Sequence, residues 1–168
     1  MMILLWALLL LGLYTLQTSW FLFFHTSQSP DLLLVLLLLT TLEEGPKGGL
    51  SLGFVIGALQ DVISFSFFGY HIVTRTLLGG MIGLMRGNIF KDQLPTFAVV
   101  VALVSIMVKA FHLAFLMFYQ GEIFSLWPFV LDAGKYVGWN VVCSVPMWII
   151  SRVIIEILKR RQQRYYRM

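Results

Sequence analysis

The chain contains little charge and only one cysteine. Charged residues make up 12% of its 168 residues, whereas 59% are hydrophobic, and the mean hydropathy is +0.87. This composition excludes an ordinary soluble domain and indicates an integral membrane protein. A lone cysteine excludes an intrachain disulfide, so we interpret Cys143 as a small buried hydrophobic residue.

Common signatures of catalysis and of cofactor binding are also missing. The sequence has no Cys-x-x-Cys or His-x-x-x-His pair for a metal and no phosphate-binding P-loop. The formal net charge is +4, but the basic residues are not interleaved with aromatics that could stack on bases. We therefore expect no enzymatic activity, no cofactor or metal, and no nucleic-acid partner.

Hydrophobic runs predict an all-α membrane protein with about six transmembrane helices. The second run is short, and at ~1.5 Å per residue it crosses barely half of a ~30 Å hydrocarbon core unless its polar flanks also lie in the membrane. Pro146 should kink the last span. We expect a transmembrane domain over residues 1–158 and a basic cytoplasmic tail over 159–168. The predicted spans are 1–24, 32–42, 49–65, 69–90, 95–119 and 129–158.

Basic residues lie at the loops on one side of this six-span arrangement. The opposite loops, 25–30, 65–69 and 120–128, contain no Lys or Arg. The positive-inside rule then places both termini of this multi-pass membrane protein in the cytoplasm. With five spans, the leucine run would be re-entrant and one terminus would move outside. The one-sided residues are Lys47, Arg86, Lys91, Lys159, Arg160, Arg161, Arg164 and Arg167.

The basic tail has two interpretations. Arg160, Arg161, Arg164 and Arg167 could bind anionic lipid or a cytoplasmic protein. Alternatively, the tail is a stop-transfer anchor that only fixes the topology.

Two stripes of small residues organise the middle of the chain. Gly49, Gly53, Gly57 and Asp61 recur every four residues, and Arg75, Gly79, Gly83 and Gly87 repeat that spacing in mirror order. Residues four apart share a helix face, and small residues there let membrane helices pack closely. A hairpin turning near residue 68 would place Gly49 against Gly87, Gly53 against Gly83 and Gly57 against Gly79. It would also pair Asp61 with Arg75.

Ionisable residues within the spans are candidates for function because each is costly to insert. Asp61 and Arg75 could form a substrate, proton or ion site, but a structural ion pair is the simpler interpretation. Lys109 and His112, three residues apart, could line a polar pocket or relay protons. Otherwise Lys109 extends to the interface and His112 bonds a neighbouring helix.

Residues 43–87 contain Glu44-Gly45-Pro46, Gly49, the segment from Gly53 to Asp61, and Gly69. With these residues the segment resembles the MreD family of rod shape-determining proteins. It implies a bacterial inner-membrane protein of the cell-elongation machinery, without known enzymatic activity. It also implies four partners: bitopic MreC, actin-like MreB, the glycosyltransferase RodA and a class B penicillin-binding protein. The fold implied is that of the six-helix substrate-binding components of energy-coupling-factor vitamin transporters.

Two functions therefore compete. The first is a non-catalytic scaffold that binds MreC and helps control cell shape and peptidoglycan synthesis. The alternative is a transporter component that binds a vitamin-like molecule, with Asp61, Lys109 and His112 lining its pocket. A transporter should show a closed polar pocket at membrane depth, whereas a scaffold should show a broad apolar groove or lateral face. A third hypothesis, an intramembrane enzyme, lacks a nucleophile or metal held by an orienting partner.

Overall fold

The computed structural model describes residues 2–20, 22, 28–64, 68–88, 93–120 and 126–165, without the side chains of 2–7, 88, 120, 126 and 157–165. Over these residues the protein is helical and contains no strand, which confirms the predicted all-α class. Six α-helices lie within the described residues, and a 3-10 turn, Met85–Asn88, follows the fourth of them. The helices are α1 (Met2–Thr18), α2 (Leu32–Glu44), α3 (Pro46–Ser64), α4 (Tyr70–Leu84), α5 (Leu94–Gln120) and α6 (Leu126–Tyr165).

Two of these helices are long and apolar enough to cross a membrane. The qualifying segments are Leu94–Tyr119 in α5 and Trp127–Glu156 in α6. They coincide closely with the predicted fifth and sixth spans. The helices therefore fit a transmembrane protein.

The short helix α2 is the centre of the bundle. It starts at its N-cap Asp31, whose Oδ1 accepts a hydrogen bond from the Leu34 N–H at 2.9 Å. It ends at Gly45, whose φ of 86° lies in the left-handed region and whose N–H donates to the Thr41 carbonyl at 2.8 Å. Most of its residues are buried, and its two faces contact different helices.

One face of α2 packs on the later helices and the other on α1 and α3. Leu34 and Leu38 belong to a core cluster with Phe97 and Val101 of α5. Leu33 and Leu37 belong to a second cluster, with Leu10 of α1 and Ile56 of α3. Burial on both faces suits a helix that is leucine-rich on every side.

Helices α3 and α4 form a hairpin in backbone contact. A Cβ added to Gly53 would lie 2.4 Å from the Arg75 carbonyl oxygen, and one added to Gly57 would lie 2.5 Å from that of His71. At Gly79 it would lie 2.1 Å from the Gly49 oxygen. Gly83 is equally close to Pro46, whereas nothing lies within 4 Å of a Cβ at Gly87. The two stripes face each other, but Gly87 lies outside their contact.

The predicted register of this hairpin is wrong by two helical turns. Gly49 lies against Gly79 and not against Gly87, eight positions later. A stripe that repeats every four residues looks the same after sliding by eight, so the spacing defines the packing face without defining the register. The N–H groups at the start of α4 require a hydrogen-bond acceptor. The contact that provides this acceptor, described below, agrees with the observed register.

Basic side chains gather at one end of the bundle, which we call the basic end. The Arg86 guanidinium lies 3.2 Å from where a Gly45 Cβ would be, and Arg152 forms an ion pair with Glu43 at 3.6 Å. Helix α6 continues past this region to Tyr165, so the predicted boundary at residue 158 falls inside a helix. The side chains of Arg160, Arg161 and Arg164, and all of Arg167, lie outside the described residues.

Candidate functional site

An ion pair between Asp31 and Arg75 lies in the interior of the bundle. Asp31 is 4% exposed and Arg75 is 3% exposed. The Arg75 Nη2 donates to Asp31 Oδ2, and its Nε donates to Gln60 Oε1 at 3.0 Å. The Tyr136 hydroxyl donates to the same Asp31 oxygen at 3.0 Å. Arg75 of α4 and Tyr136 of α6 therefore converge on Asp31, the residue that starts α2, and Gln60 of α3 joins them through Arg75.

Two further side chains extend this arrangement to α5. The Asp31 N–H donates to Asn140 Oδ1 at 2.6 Å, and Asn140 Nδ2 donates to Ser105 Oγ at 2.9 Å. Asn140 and Ser105 are both fully buried. We call the set of six residues the polar network: Asp31, Gln60, Arg75, Ser105, Tyr136 and Asn140.

The polar network lies well inside the bundle and not at its surface. Ser105 is about 16 Å along α5 from Leu94 and about 22 Å from Gln120. Asp31 is joined to Ser105 through Asn140, so α2 begins near this depth. Asp31 therefore places the start of α2 in the interior of the bundle, at the depth of the polar network.

The chemistry of the network is that of a structural clamp. A buried charge is tolerated when it is paired and its remaining hydrogen-bonding capacity is used. Asp31 meets this condition, because it accepts from the Leu34 N–H, Arg75 and Tyr136. With its carboxylate so engaged, Asp31 is fixed in place, and the polar network as a whole joins five helices.

Asp61 does not pair with Arg75, which corrects the predicted ion pair. Its two carboxylate oxygens accept hydrogen bonds from the N–H groups of Gly69 at 2.8 Å, His71 at 2.9 Å and Ile72 at 3.1 Å. The first N–H groups of a helix have no intrahelical acceptor, and a carboxylate there also interacts favourably with the helix dipole. Asp61 thus caps α4 from the neighbouring helix, and the ion-pair partner of Arg75 is Asp31.

The sequence interpretation missed Asp31 as the partner of Arg75. Ser29, Pro30 and Asp31 are residues typical of a helix start, and Asp31 Oδ1 does cap α2. That pattern alone does not indicate a contact with Arg75. The signal in the sequence that could have indicated this contact was the short second span. A helix too short to cross the membrane starts inside it, so its N-cap lies at the depth of the buried charges. Asn140, the other side chain that contacts Asp31, is fully buried as well.

Lys109 and His112 contact different side chains. Lys109 Nζ donates to Gln28 Oε1 at 3.2 Å and lies 4.6 Å from the centre of the Tyr136 ring. The His112 ring instead contacts Tyr70 edge-on, with centres 5.9 Å apart. Lys109 therefore borders the polar network, whereas His112 belongs to an aromatic cluster between α4 and α5.

One catalytic pattern was overlooked in the sequence. Gly49-Leu50-Ser51-Leu52-Gly53 matches Gly-x-Ser-x-Gly, the nucleophile elbow of α/β-hydrolases. That elbow is a sharp turn from a strand to a helix, whereas this segment lies within α3. Ser51 is exposed and donates to the Gly48 carbonyl at 3.0 Å. The glycines serve the α3–α4 contact, so the pattern does not form an elbow.

Within the described part of the chain, no three His, Cys, Asp or Glu residues could jointly hold a metal ion.

An open groove of about 640 Å³ lies between α4 and α5, on the outside of the bundle. We call it the α4–α5 groove. Aromatic rings of Tyr70 and Phe115, with centres 4.9 Å apart, meet in it. Its lining is almost entirely apolar and includes Phe68, Val73, Leu77, Met81, Phe111 and Phe118.

Membrane-length apolar helices around a buried polar network define a helical membrane protein. The sequence profile of the family described as rod shape-determining protein MreD matches residues 1–158 of the 168. The chain therefore belongs to the MreD family, a family of shape-determining components not known as enzymes, and its role lies in rod shape determination. No curated protein and no solved structure matches the chain.

Proposed function

We propose that the protein is a non-catalytic scaffold of the cell-elongation machinery that binds an MreC-like bitopic protein and helps control peptidoglycan synthesis. The observation that carries the proposal is the α4–α5 groove, which is open, apolar and lateral. Asp61, Lys109 and His112, which a transporter pocket was expected to use, do not line it. The alternative of a vitamin-like substrate has less support for that reason.

The dimensions of the groove suit one transmembrane helix. Its α4 wall runs from Tyr70 to Met81, about 16 Å or three helical turns. Leu77 and Phe118 are 56% and 92% exposed, so a partner would cover large apolar surfaces. Membrane helices associate through such packing contacts, and aromatic side chains contribute most where they are covered. The proposed occupant is the single transmembrane helix of the MreC-like protein.

The proposal includes a topology and further partners. All six helices span the inner membrane, with the basic end and both termini in the cytoplasm. At that end the tail contacts anionic lipid or a cytoplasmic partner. MreB, RodA and a class B penicillin-binding protein are the further partners that the family implies. The similarity to energy-coupling-factor substrate-binding components is likewise a proposal about the fold.

Copurification with matched groove variants tests the scaffold. Leu77 of α4 lines the groove and Leu103 of α5 does not, although they are similarly exposed, at 56% and 57%. Leu77→Trp should fill the groove and reduce recovery of the MreC-like protein after mild detergent extraction. Leu103→Trp should leave that recovery unchanged at equal yield of the chain.

Two outcomes contradict the proposal at different levels. Equal partner recovery with both variants would remove the α4–α5 groove as the docking surface. Copurification of an ATPase module without any MreC-like protein would overturn the scaffold function itself.

A further inference from the structure

A second groove lies at the basic end, between α1, α2 and α6. Its volume is about 420 Å³. Leu9, Leu36, Leu39 and Ile155 contribute apolar walls, whereas the rim carries charge. We call it the basic-end groove after its position in the bundle. Two carboxylates also line it.

The rim of the basic-end groove combines both signs of charge within a short distance. Arg152 pairs with Glu43 at 3.6 Å, and the two side chains are 27% and 34% exposed. The Arg152 guanidinium lies over the Trp148 ring, 5.3 Å from its centre. Glu44 adds a second, exposed carboxylate. One guanidinium and two carboxylates therefore border an apolar channel.

Hydroxyl groups add acceptors near these charges. Thr40 Oγ1 donates to the carbonyls of Leu36 and Leu37, each at 3.0 Å, and Ser151 Oγ donates to that of Trp148 at 2.7 Å. Each hydroxyl donates its one hydrogen to a backbone carbonyl. Toward a ligand, its oxygen can therefore act only as a hydrogen-bond acceptor. Together with Glu43 and Glu44, the groove thus offers more acceptors than donors, with Arg152 as its strong donor.

This arrangement selects among lipid headgroups. A phosphate matches the planar guanidinium of Arg152, but a purely anionic headgroup would also face two carboxylates. A primary ammonium can donate hydrogen bonds to carboxylates and hydroxyls, whereas a choline group has no N–H to donate. The face of Trp148, which a choline would seek, is already covered by Arg152.

We propose that the basic-end groove binds one phospholipid of the phosphatidylethanolamine class. Its phosphate contacts Arg152 and its ammonium contacts Glu43 and Glu44. An acyl chain follows the apolar wall between Leu9 and Ile155, and each buried CH₂ adds to retention. Trp148 at the rim agrees with the preference of tryptophan for the headgroup level. The proposal requires only that the bundle lies in a membrane, and it is independent of the scaffold function.

Native mass spectrometry of the full chain in detergent, with phosphatidylethanolamine, phosphatidylcholine or phosphatidylglycerol added at equal concentration, tests the headgroup preference. We expect one phosphatidylethanolamine to be retained in preference to the other two. Arg152→Gln and Glu43→Gln should each weaken its retention about tenfold, because each removes a charged hydrogen bond. The matched controls are Lys135→Gln and Asp132→Asn, which lie outside the groove and should bind normally.

A groove-filling variant keeps the test decisive if the charge variants fail to fold. Ile154 lines the groove and Ile149 does not, although they are similarly exposed, at 51% and 49%. Ile154→Trp should lower lipid retention with the ion pair intact, whereas Ile149→Trp should not. Equal retention in these two variants would overturn the site. Stronger binding of phosphatidylglycerol, or full retention in Glu43→Gln, would overturn its selectivity for a zwitterionic headgroup.

Discussion

Asp31 and Arg75 are 44 positions apart in the sequence and form an ion pair inside the bundle. Removing one partner leaves the other as an uncompensated buried charge, which costs about 3–5 kcal/mol. We expect Asp31→Asn or Arg75→Gln each to lower the yield of folded protein strongly, and the double variant to lower it less than either. Fluorescence-detected size exclusion of a tagged chain would measure this. A double variant as damaged as both singles combined would show that the two charges act independently.

Asp61 should behave as a helix cap and not as the partner of Arg75. Its carboxylate serves three N–H groups at the start of α4, so Asp61→Ala should destabilise the protein by about 0.5–2 kcal/mol or more. The charge swap Asp61→Arg with Arg75→Asp should fail to recover folding. Recovery of the melting temperature by that swap would instead support the ion pair between Asp61 and Arg75 that the sequence predicted.

The glycine stripes give a prediction with an internal control. A Cβ at Gly53 or Gly79 would lie within 2.4 Å or 2.1 Å of a backbone oxygen, so alanine there must push the helices apart. Gly53→Ala and Gly79→Ala should therefore reduce thermal stability. Gly87→Ala and Gly138→Ala, where nothing lies within 4 Å, should not. Loss of stability at Gly87 as large as at Gly79 would favour the register predicted from the sequence.

Asn140 and Ser105 should differ in importance although they bond each other. Asn140 makes two hydrogen bonds: it accepts from the Asp31 N–H at 2.6 Å and donates to Ser105. Ser105 takes part only in the second of these. Asn140→Ala should cost about 1–3 kcal/mol by leaving a buried donor unpaired, and Ser105→Ala should cost less. Melting temperatures of the two purified variants would decide, and a reversed order would contradict this account of the network.

The proposed topology predicts opposite reporter results at two positions. An alkaline phosphatase fusion after residue 168 should be inactive because the basic end faces the cytoplasm. A fusion within residues 120–128 should be active. Activity from the carboxyl-terminal fusion would contradict cytoplasmic termini.

The helices were predictable because each depends on local composition. Apolar runs, polar breaks and the residues Ser29-Pro30-Asp31 indicate where the helices begin, and each described helix starts within three residues of its predicted start. The helix ends agree less well, because α4 ends at Leu84 and not near residue 90, and α6 continues to Tyr165. The packing face of the α3–α4 hairpin was also predictable, since a repeat of four residues marks one side of a helix.

Register and ion-pair partners were not predictable in the same way. Sliding one glycine stripe along the other by two turns preserves the pattern, so only a specific contact distinguishes the alternatives. That contact is between Asp61 and the free N–H groups of α4. The pairing of Arg75 depends on where α2 begins in depth, which a hydropathy pattern does not contain.

Helix α6 passes through Pro146, six positions after the hydrogen-bonded Asn140. Proline has no N–H, so the Val142 carbonyl lacks its usual partner and the helix is weakest against bending there. From Pro146 to Tyr165 the helix extends about 28 Å, toward the arginine-rich end. A hinge movement of about 10° would swing that end by about 5 Å, given the helical rise. Bending at Pro146 would leave Asn140 anchored to the core, but the far arm of α6 could swing only by breaking the ion pair between Arg152 and Glu43.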